Sequence, residues 1–292
     1  MAALHAMAIA TAAAAIATVL TASAFAQVTV PRPVAAARAA PIKPAEPAAP
    51  LPAGAAPAAA FACSAPAELV RFAYPLPHTA RRLAAGGPLV IVAIGSSSTA
   101  GAGASSPAAN YPSRLAVELK QRLPGHDIQV INRGVNGEET AQMVARFATD
   151  VIAAHPALVL WQVGTNSVLR DHSLATHSGQ LNGGIARLKE AGADVVLIDM
   201  QFAPRLLAKE ETDGMEHQIA LAAKAASVDL FNRFALMRNW HDVQHIPFDA
   251  FVAPDQLHMN DWSYACVAKL LAAAIAEATR RPVVSAASRP PR

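Results

Sequence analysis

Residues 89–103 read Leu-Val-Ile-Val-Ala-Ile-Gly-Ser-Ser-Ser-Thr-Ala-Gly-Ala-Gly. The first six of these residues are apolar and rich in β-branched side chains, which predicts a strand buried on both faces in the middle of a parallel sheet. The run stops at Gly95 and continues into three serines and a threonine. Ligand sites in open α/β sheets lie beyond the carboxyl ends of the strands, so this hydroxyl cluster is a candidate nucleophile site. The alternative is a serine-rich turn that only caps the next helix.

Downstream of this stretch, segments typical of strands alternate with segments that have helical periodicity. Strands are predicted at 127–132, 157–163, 194–200 and 228–231, and helices at 110–122, 140–154, 178–191, 210–226 and 261–279. Strands that alternate with helices of this length predict a parallel sheet covered by helices on both faces. We therefore expect one α/β domain over residues 67–279, which is long enough to bury a single core.

The two ends of the chain have a different composition from this domain. Residues 1–26 are apolar, contain no Asp, Glu, Lys or Arg, and end in Ala-Phe-Ala, which predicts a signal peptide cleaved near Ala26 and export to the periplasm or beyond. A retained membrane anchor is the alternative. Residues 27–66 are rich in Pro and Ala and predict a disordered spacer, and residues 280–292 predict a disordered tail.

Charge and cysteine content limit the possible partners and the compartment. The formal net charge is +3, but Lys and Arg are scattered and form no basic stripe with aromatic residues, so nucleic-acid binding is not expected. The two cysteines, Cys63 and Cys266, flank the predicted domain. In an oxidising compartment they are expected to form one disulfide that joins the start of the domain to its last helix. Two free, buried thiols are the alternative.

Polar groups that suit acyl transfer follow three successive strands and precede the last helix. Residues 96–98 follow the first strand, Gly137 the second and Asn166 the third, while Asp255 and His258 lie three residues apart before the final helix. A carboxylate can orient an imidazole as a base, and a serine needs such a base to become nucleophilic. A backbone N–H and an amide can stabilise an oxyanion. Each group alone is also typical of turns and surface pairs, so it is their order along the chain that indicates acyl transfer.

This order resembles that of the SGNH, or GDSL-type, hydrolase superfamily, and the resemblance covers residues 89–271. The four matching blocks, in chain order, are Gly95-Ser96-Ser97-Ser98-Thr99, Asn132-x-Gly134-x-x-Gly137, Gly164-Thr165-Asn166 and Asp255-x-x-His258. The resemblance implies a three-layer α/β/α, flavodoxin-like fold with a central, mostly five-stranded parallel sheet. It also implies ester hydrolysis through an acyl-enzyme, without a metal or another cofactor.

The resemblance assigns a role to five residues. It implies that Ser97 is the nucleophile, that His258 is the base, that Asp255 is the acid of the triad, and that Gly137 N–H and the Asn166 amide form the oxyanion hole. Two positions depart from the family pattern, because Ser96 and Ser167 stand where the family has Asp. Neither position takes part in the proton transfers, so activity is expected to survive. Ser96 and Ser98 remain alternatives for the nucleophile.

The substrate expected from these features is an acyl ester. Export and the spacer point to a small-acyl ester of a carbohydrate or of another cell-envelope compound, with association to the envelope through the spacer. A lipid esterase or thioesterase with the same triad is one alternative, and a non-catalytic binding module on the same fold is another.

A pair of histidines, His241 and His245, has a spacing that can bind a metal on a helix. No third ligand stands out nearby, so no metal site is expected. The two side chains are expected instead to line the entrance of the active-site cleft.

Overall fold

A computed structural model gives the structure of the protein and describes residues 61–282. Its five strands are β1 (Leu89–Gly95), β2 (Ile128–Gly134), β3 (Leu158–Gln162), β4 (Asp194–Ile198) and β5 (Asp229–Phe231). All neighbouring strands are parallel and follow the order β2-β1-β3-β4-β5, which is the flavodoxin-like order. The predicted signal peptide, residues 27–60 of the predicted spacer and residues 283–292 of the predicted tail lie outside the described residues.

Helices cover both faces of this sheet. They are α1 (Ala67–Val70), α2 (Pro77–Ala84), α3 (Ser97–Ala100), α4 (Tyr111–Arg122), α5 (Thr140–Ala145), α6 (Thr165–Leu169), α7 (Leu174–Glu190), α8 (Pro204–Leu207), α9 (Thr212–Ala226), α10 (Arg233–Asp242), α11 (Phe248–Phe251) and α12 (Asp261–Ala278). Helix α4 packs against α12, and α7 packs against α5 and α9. The predicted three-layer α/β/α fold with five parallel strands is therefore confirmed. Within residues 61–282, no helix has both the length and the apolar character needed to cross a membrane.

The core lies where the apolar runs of the sequence placed it. Every residue of β3 and β4 is buried, and so is every residue of β1 except Val90. Trp161 in β3 has no exposed surface, and its ring packs so closely on α7 that a Cβ added to Gly184 would lie 2.3 Å from it. Strands β1, β3 and β4 lie in the interior of the sheet, whereas β2 and β5 lie at its edges and are more exposed or shorter. Continuous apolar runs therefore predicted the interior strands best.

The predicted helix over 140–154 is wrong in its second half. Helix α5 ends at Ala145, and the chain continues as a π-helical turn (Phe147–Val151) and a 3₁₀ turn (Ile152–Ala154). Both Phe147 and Val151 are completely buried in this wider turn. The segment contains β-branched residues and an aspartate, which have lower helix propensity than the alanines before them. Burial of two apolar side chains therefore determines the backbone here more than helical periodicity does.

The folded domain begins earlier than the sequence indicated. Cys63 and Cys266 form the expected disulfide. The carbonyl oxygens of Phe61 and Ser64 accept hydrogen bonds from the indole nitrogens of Trp262 and Trp240, both at 3.1 Å. The composition of residues 61–66 predicts part of the spacer, but these contacts make them part of the domain.

The buried carboxyl group of Asp229 is expected to make stability depend on pH. Burial raises its pKa to about 6, although the Tyr74 N–H at 2.9 Å favours the carboxylate. The unfolded chain has a lower Asp pKa of about 3.9, so the folded protein binds the extra proton and this group's contribution to stability falls as pH rises from about 4 to 6. The variant Asp229→Asn removes this titration.

We therefore expect the difference in unfolding free energy, wild type minus Asp229→Asn, to fall by roughly 2–3 kcal/mol between pH 4 and pH 7. Urea unfolding followed by circular dichroism at several pH values measures this difference. Parallel pH curves for the two proteins would contradict the expectation, whatever their constant offset.

Candidate active site

The three serines after β1 have different surroundings. Ser97 begins α3 and is 8% exposed, whereas Ser96 and Ser98 are 1% and 0% exposed. The Ser97 Oγ lies 2.7 Å from His258 Nε2. The hydroxyls of Ser96 and Ser98 instead donate to Gln162 and Gln201, at 3.0 and 3.5 Å. Of the three hydroxyls, that of Ser97 alone combines exposure with a neighbouring base, which favours it as the nucleophile.

Asp255 orients His258 through its side chain and through the backbone. One carboxylate oxygen forms a short hydrogen bond with His258 Nδ1. The other accepts from the N–H groups of Leu257 and His258, at 3.0 and 2.9 Å. Partial burial by itself raises the pKa of Asp255, but these hydrogen bonds outweigh it and the pKa lies below its usual value. An ionised Asp255 keeps the proton on Nδ1 and leaves Nε2 free to accept from Ser97.

The loop that carries His258 rests against Gly103. The backbone of Gly103 has φ +85°, and a Cβ there would lie 2.3 Å from the Met259 carbonyl oxygen and 2.9 Å from the His258 Cβ. This close approach ties the loop after α3 to the loop that carries the base. Glycine is required for both the backbone conformation and the space.

We expect Gly103→Ala to displace His258 and to lower kcat for ester hydrolysis by about 100-fold, the usual effect of a displacement near 1 Å. The matched control is Gly125→Ala, because Gly125 has φ +84° and nothing lies within 4 Å of its added Cβ. Both variants carry the backbone penalty of about 1 kcal/mol, but the control should keep its kcat. Equal losses of activity in the two variants would contradict this role of Gly103.

The end of β2 packs directly on the helix that begins with Ser97. A Cβ on Gly134 would lie 2.1 Å from the Ala100 nitrogen, so this position requires glycine. The Asn132 side chain donates to the Thr99 carbonyl oxygen at 2.8 Å and accepts from Gly134 N–H at 2.9 Å. The second predicted block is therefore held against the first by backbone contacts and by one asparagine side chain.

The third block joins the second through Asn166. Its side-chain nitrogen donates to the Glu138 carbonyl oxygen at 2.8 Å, which places it beside the turn that contains Gly137. Gly137 has φ +79°, a conformation that favours glycine. The second amide hydrogen of Asn166 is not needed for this bond and is available for an oxyanion. The roles of Gly137 and Asn166 in an oxyanion hole stay predictions.

Two glutamines that the sequence analysis did not single out hold these turns together. Gln162 Oε1 accepts from Ser96 N–H at 2.9 Å, and Gln201 Oε1 accepts from Thr165 Oγ1 and from Arg233 Nη2, both at 3.1 Å. All three partners, like the two glutamines, are buried. Gln162 interrupts an apolar run and Gln201 closely follows one. A polar residue in such a position is the sequence signal that could have identified the two glutamines. Buried side chains of this kind require hydrogen-bond partners, and here the partners are the active-site turns.

A polar cluster lies beside the predicted oxyanion turn. The Glu139 carboxylate accepts from Arg170 Nη1 at 2.6 Å and from Ser167 Oγ at 3.2 Å, and it pairs with His172 Nδ1 at 2.7 Å. Partial burial raises the pKa of Glu139, but the hydrogen bonds from His172, Arg170 and Ser167 bring it below its usual value. Ser167 stands where the family pattern has Asp, and it thus contacts the carboxylate of Glu139, which comes from another part of the chain.

The two histidines with metal-like spacing do not share a helical face. His241 lies in the last turn of α10, with its ring stacked on Phe248 at a centroid distance of 4.2 Å. His245 lies beyond the end of that helix and has φ +55°. Among residues 61–282, no three His, Cys, Asp or Glu side chains are grouped as metal ligands. The expected position of the pair at the cleft entrance stays a prediction.

Comparison with known proteins gives a family match and several similar proteins. A model of the Non-GDSL lipase-like family matches residues 62–281. An arylesterase of Vibrio mimicus is 30% identical over 95 residues, which are 32% of this chain and 46% of that protein, so the match spans less than half of the relative's length.

Two solved structures share the fold. A two-domain esterase active on acetylated mannans has a TM-score of 0.61 and 21% identity, with 73% of this chain and 55% of that chain covered. An acetyl xylan esterase from Geobacillus stearothermophilus has a TM-score of 0.54 and 20% identity, with 68% and 98% covered. The expected relation to SGNH-type hydrolases is thereby confirmed, and the chain, matched by the family model over nearly all of its described residues, belongs to the Non-GDSL lipase-like family.

Proposed function

We propose that the protein is a serine esterase that hydrolyses small-acyl carboxylic esters through an acyl-enzyme on Ser97. The observation that carries this proposal is the hydrogen bond of 2.7 Å between Ser97 Oγ and His258 Nε2, with Asp255 on the other ring nitrogen. This is the arrangement in which a base can remove the proton from a serine hydroxyl as that hydroxyl attacks.

In the first half of the reaction, Ser97 Oγ attacks the ester carbonyl carbon and its proton passes to His258 Nε2. The imidazolium is stabilised by Asp255 and gives the proton to the departing alcohol oxygen as the carbon–oxygen bond breaks. In the second half, a water molecule loses a proton to His258 Nε2 and attacks the acyl carbon. The bond between that carbon and Ser97 Oγ breaks, Nε2 returns the proton to Ser97 Oγ, and the acid is released.

The oxyanion formed in both steps requires hydrogen-bond donors. We assign this role to the Gly137 N–H and to the Asn166 side chain, which lie on adjacent turns joined by the bond to the Glu138 carbonyl oxygen. One such donor contributes about 3–4 kcal/mol to transition-state stabilisation. The buried glutamines support the positions of Asn166 and Ser97, because Gln201 bonds to Thr165 beside Asn166 and Gln162 bonds to Ser96 beside Ser97.

The acyl group is proposed to be small, and the alcohol to be a carbohydrate or another cell-envelope compound. The solved esterases that share the fold support this class, since one is active on acetylated mannans and another is an acetyl xylan esterase. Export is also proposed, to the periplasm or the medium after cleavage near Ala26. The disulfide supports it, because such bonds persist in oxidising compartments. Detection of a mature chain that begins at Gln27 outside the cytoplasm would test this part.

Intact-mass measurement after exposure to a fluorophosphonate tests the proposed mechanism. We expect one adduct, mapped by peptide analysis to Ser97, and no adduct in His258→Ala. An adduct on Ser96 or Ser98 would reassign the nucleophile. Absence of any adduct on correctly folded wild-type protein would reject the esterase and favour a binding module on the same fold.

A further inference from the structure

The polar cluster around Glu139 forms one wall of an open cleft with a volume of about 500 Å³. Small-molecule sites commonly have volumes of roughly 300–1,000 Å³, so the cleft is large enough for a ligand. The cleft lies between the first turns of α5 and α7. Nothing in the mechanism above uses it.

Two contacts connect this cleft to the proposed oxyanion hole. Arg170, on the wall of the cleft, donates from Nη2 to the Gly137 carbonyl oxygen at 2.8 Å. Ser167, also on the wall, directly follows Asn166 in the sequence. Two residues of the cleft wall are therefore in contact with, or adjacent in sequence to, the proposed oxyanion donors Gly137 and Asn166.

The chemistry of the walls restricts what can bind. The cleft combines a carboxylate acceptor with guanidinium, amide and hydroxyl donors, and its apolar side chain is that of Ala141. Placing a hydrocarbon chain here would remove water from ionised groups without replacing their hydrogen bonds, which costs free energy. The positive charge of Arg170 is already paired with Glu139 at 2.6 Å, so the cleft offers no unpaired cation to a phosphate.

A polyhydroxylated ligand fits these walls, because each hydroxyl both donates and accepts. The wall also includes His177, which is 2% exposed and whose Nδ1 pairs with Gln218 at 3.0 Å. Its Nε2 has no hydrogen-bond partner within residues 61–282. Burial lowers the pKa of His177, which keeps it neutral and able to accept a hydrogen bond.

We infer that this cleft is the subsite for the alcohol part of the ester and that it selects a sugar, with Glu139, Arg170 and His172 as its polar wall. The inference rests on the proposed esterase function and makes it more specific. A small acyl group is far smaller than the cleft, so the alcohol is the part that fills it.

The test compares two acetate esters on the full chain. One is an acetylated xylo-oligosaccharide, and the other is vinyl acetate, whose alcohol part has no sugar. The measured quantity is the selectivity, defined as kcat/KM for the sugar ester divided by kcat/KM for vinyl acetate. Ala141→Phe fills the cleft from the exposed face of α5, and His172→Ala removes one polar side chain from an exposed position. Ala220→Phe, on the exposed face of α9, is the matched control.

We expect Ala141→Phe to lower the selectivity by at least about tenfold through a higher KM for the sugar ester. Loss of one hydrogen-bonding group in His172→Ala should lower it by about 2- to 12-fold. The control should have the wild-type selectivity.

The outcomes separate this inference from the proposed function. If wild-type protein forms the Ser97 adduct and hydrolyses vinyl acetate, but the selectivity is unchanged in both cleft variants, the sugar subsite is rejected and the esterase stands. The same holds if wild-type protein hydrolyses vinyl acetate but not the acetylated xylo-oligosaccharide. If neither the adduct nor vinyl acetate hydrolysis is found, the proposed function fails and the subsite with it.

Discussion

Replacing Ser97 with alanine is expected to lower kcat for ester hydrolysis by roughly 10⁴- to 10⁶-fold, and His258→Ala should have an effect of similar size. The reason is that the hydroxyl and the imidazole act as one unit, joined by a hydrogen bond of 2.7 Å. Without the base the serine is a poor nucleophile, and without the serine the base has no attacking group to activate. Steady-state kinetics with p-nitrophenyl acetate measures the effect.

The neighbouring serines and a double variant serve as two controls for this prediction. Ser96→Ala and Ser98→Ala remove the neighbouring hydroxyls, which donate to glutamines and not to His258, so their kcat should stay within about tenfold of wild type. The double variant Ser97→Ala/His258→Ala should be no slower than either single variant, because the two residues act as a unit. Additive losses, or a larger effect at Ser96 than at Ser97, would contradict the assignment.

The second large effect is expected on stability. Cys63→Ser should lower the free energy of unfolding by about 5 kcal/mol, because the disulfide closes a loop with a sequence separation of 203 residues and restricts the unfolded chain. Cys63 is the better position to change, since it is half-buried, whereas Cys266 is buried in α12 and would leave a packing defect. Urea unfolding at equilibrium measures the difference.

A reducing agent supplies the control for this prediction. Unfolding wild-type protein under reducing conditions should give the stability of Cys63→Ser, while the variant itself should not respond to the reductant. A loss below about 1 kcal/mol in Cys63→Ser would show that the bond contributes little beyond the contacts of its segment.

The sequence predicted most of the fold because its strongest signals are local. The apolar runs of β1, β3 and β4 occupy the buried middle of the sheet, and Asn110 caps α4 where a helix start was expected. Helix α10 was missed, since charged and apolar residues alternate in it without a clear stripe. The start of the domain was also not predicted, because residues 61–66 resemble the Pro/Ala spacer and are held by tryptophans 176 and 201 positions away.

The candidate site was predictable to the extent that its groups recur at fixed spacings. Asp255 and His258 lie three residues apart, and the blocks follow successive strands, so their approach to Ser97 could be inferred from the parallel sheet. The contact between Glu139 and Arg170 could not be inferred in this way. It is an ion pair between residues 31 positions apart, and such pairs follow no fixed spacing in the sequence. The cleft beside Glu139 was therefore visible only in the structure.

The hydrogen bond between Ser97 and His258 spans 161 positions of the chain, from the first strand to the turn before the last helix. His258 lies just before α12, and the disulfide, whose two cysteines are 203 positions apart, joins that helix to the start of the domain. During synthesis Ser97 is therefore made long before His258, so a chain that ends before residue 258 lacks the proposed base. The proposed hydrolytic activity therefore requires nearly the whole domain to have been synthesised, and we expect it to be lost when α12 detaches.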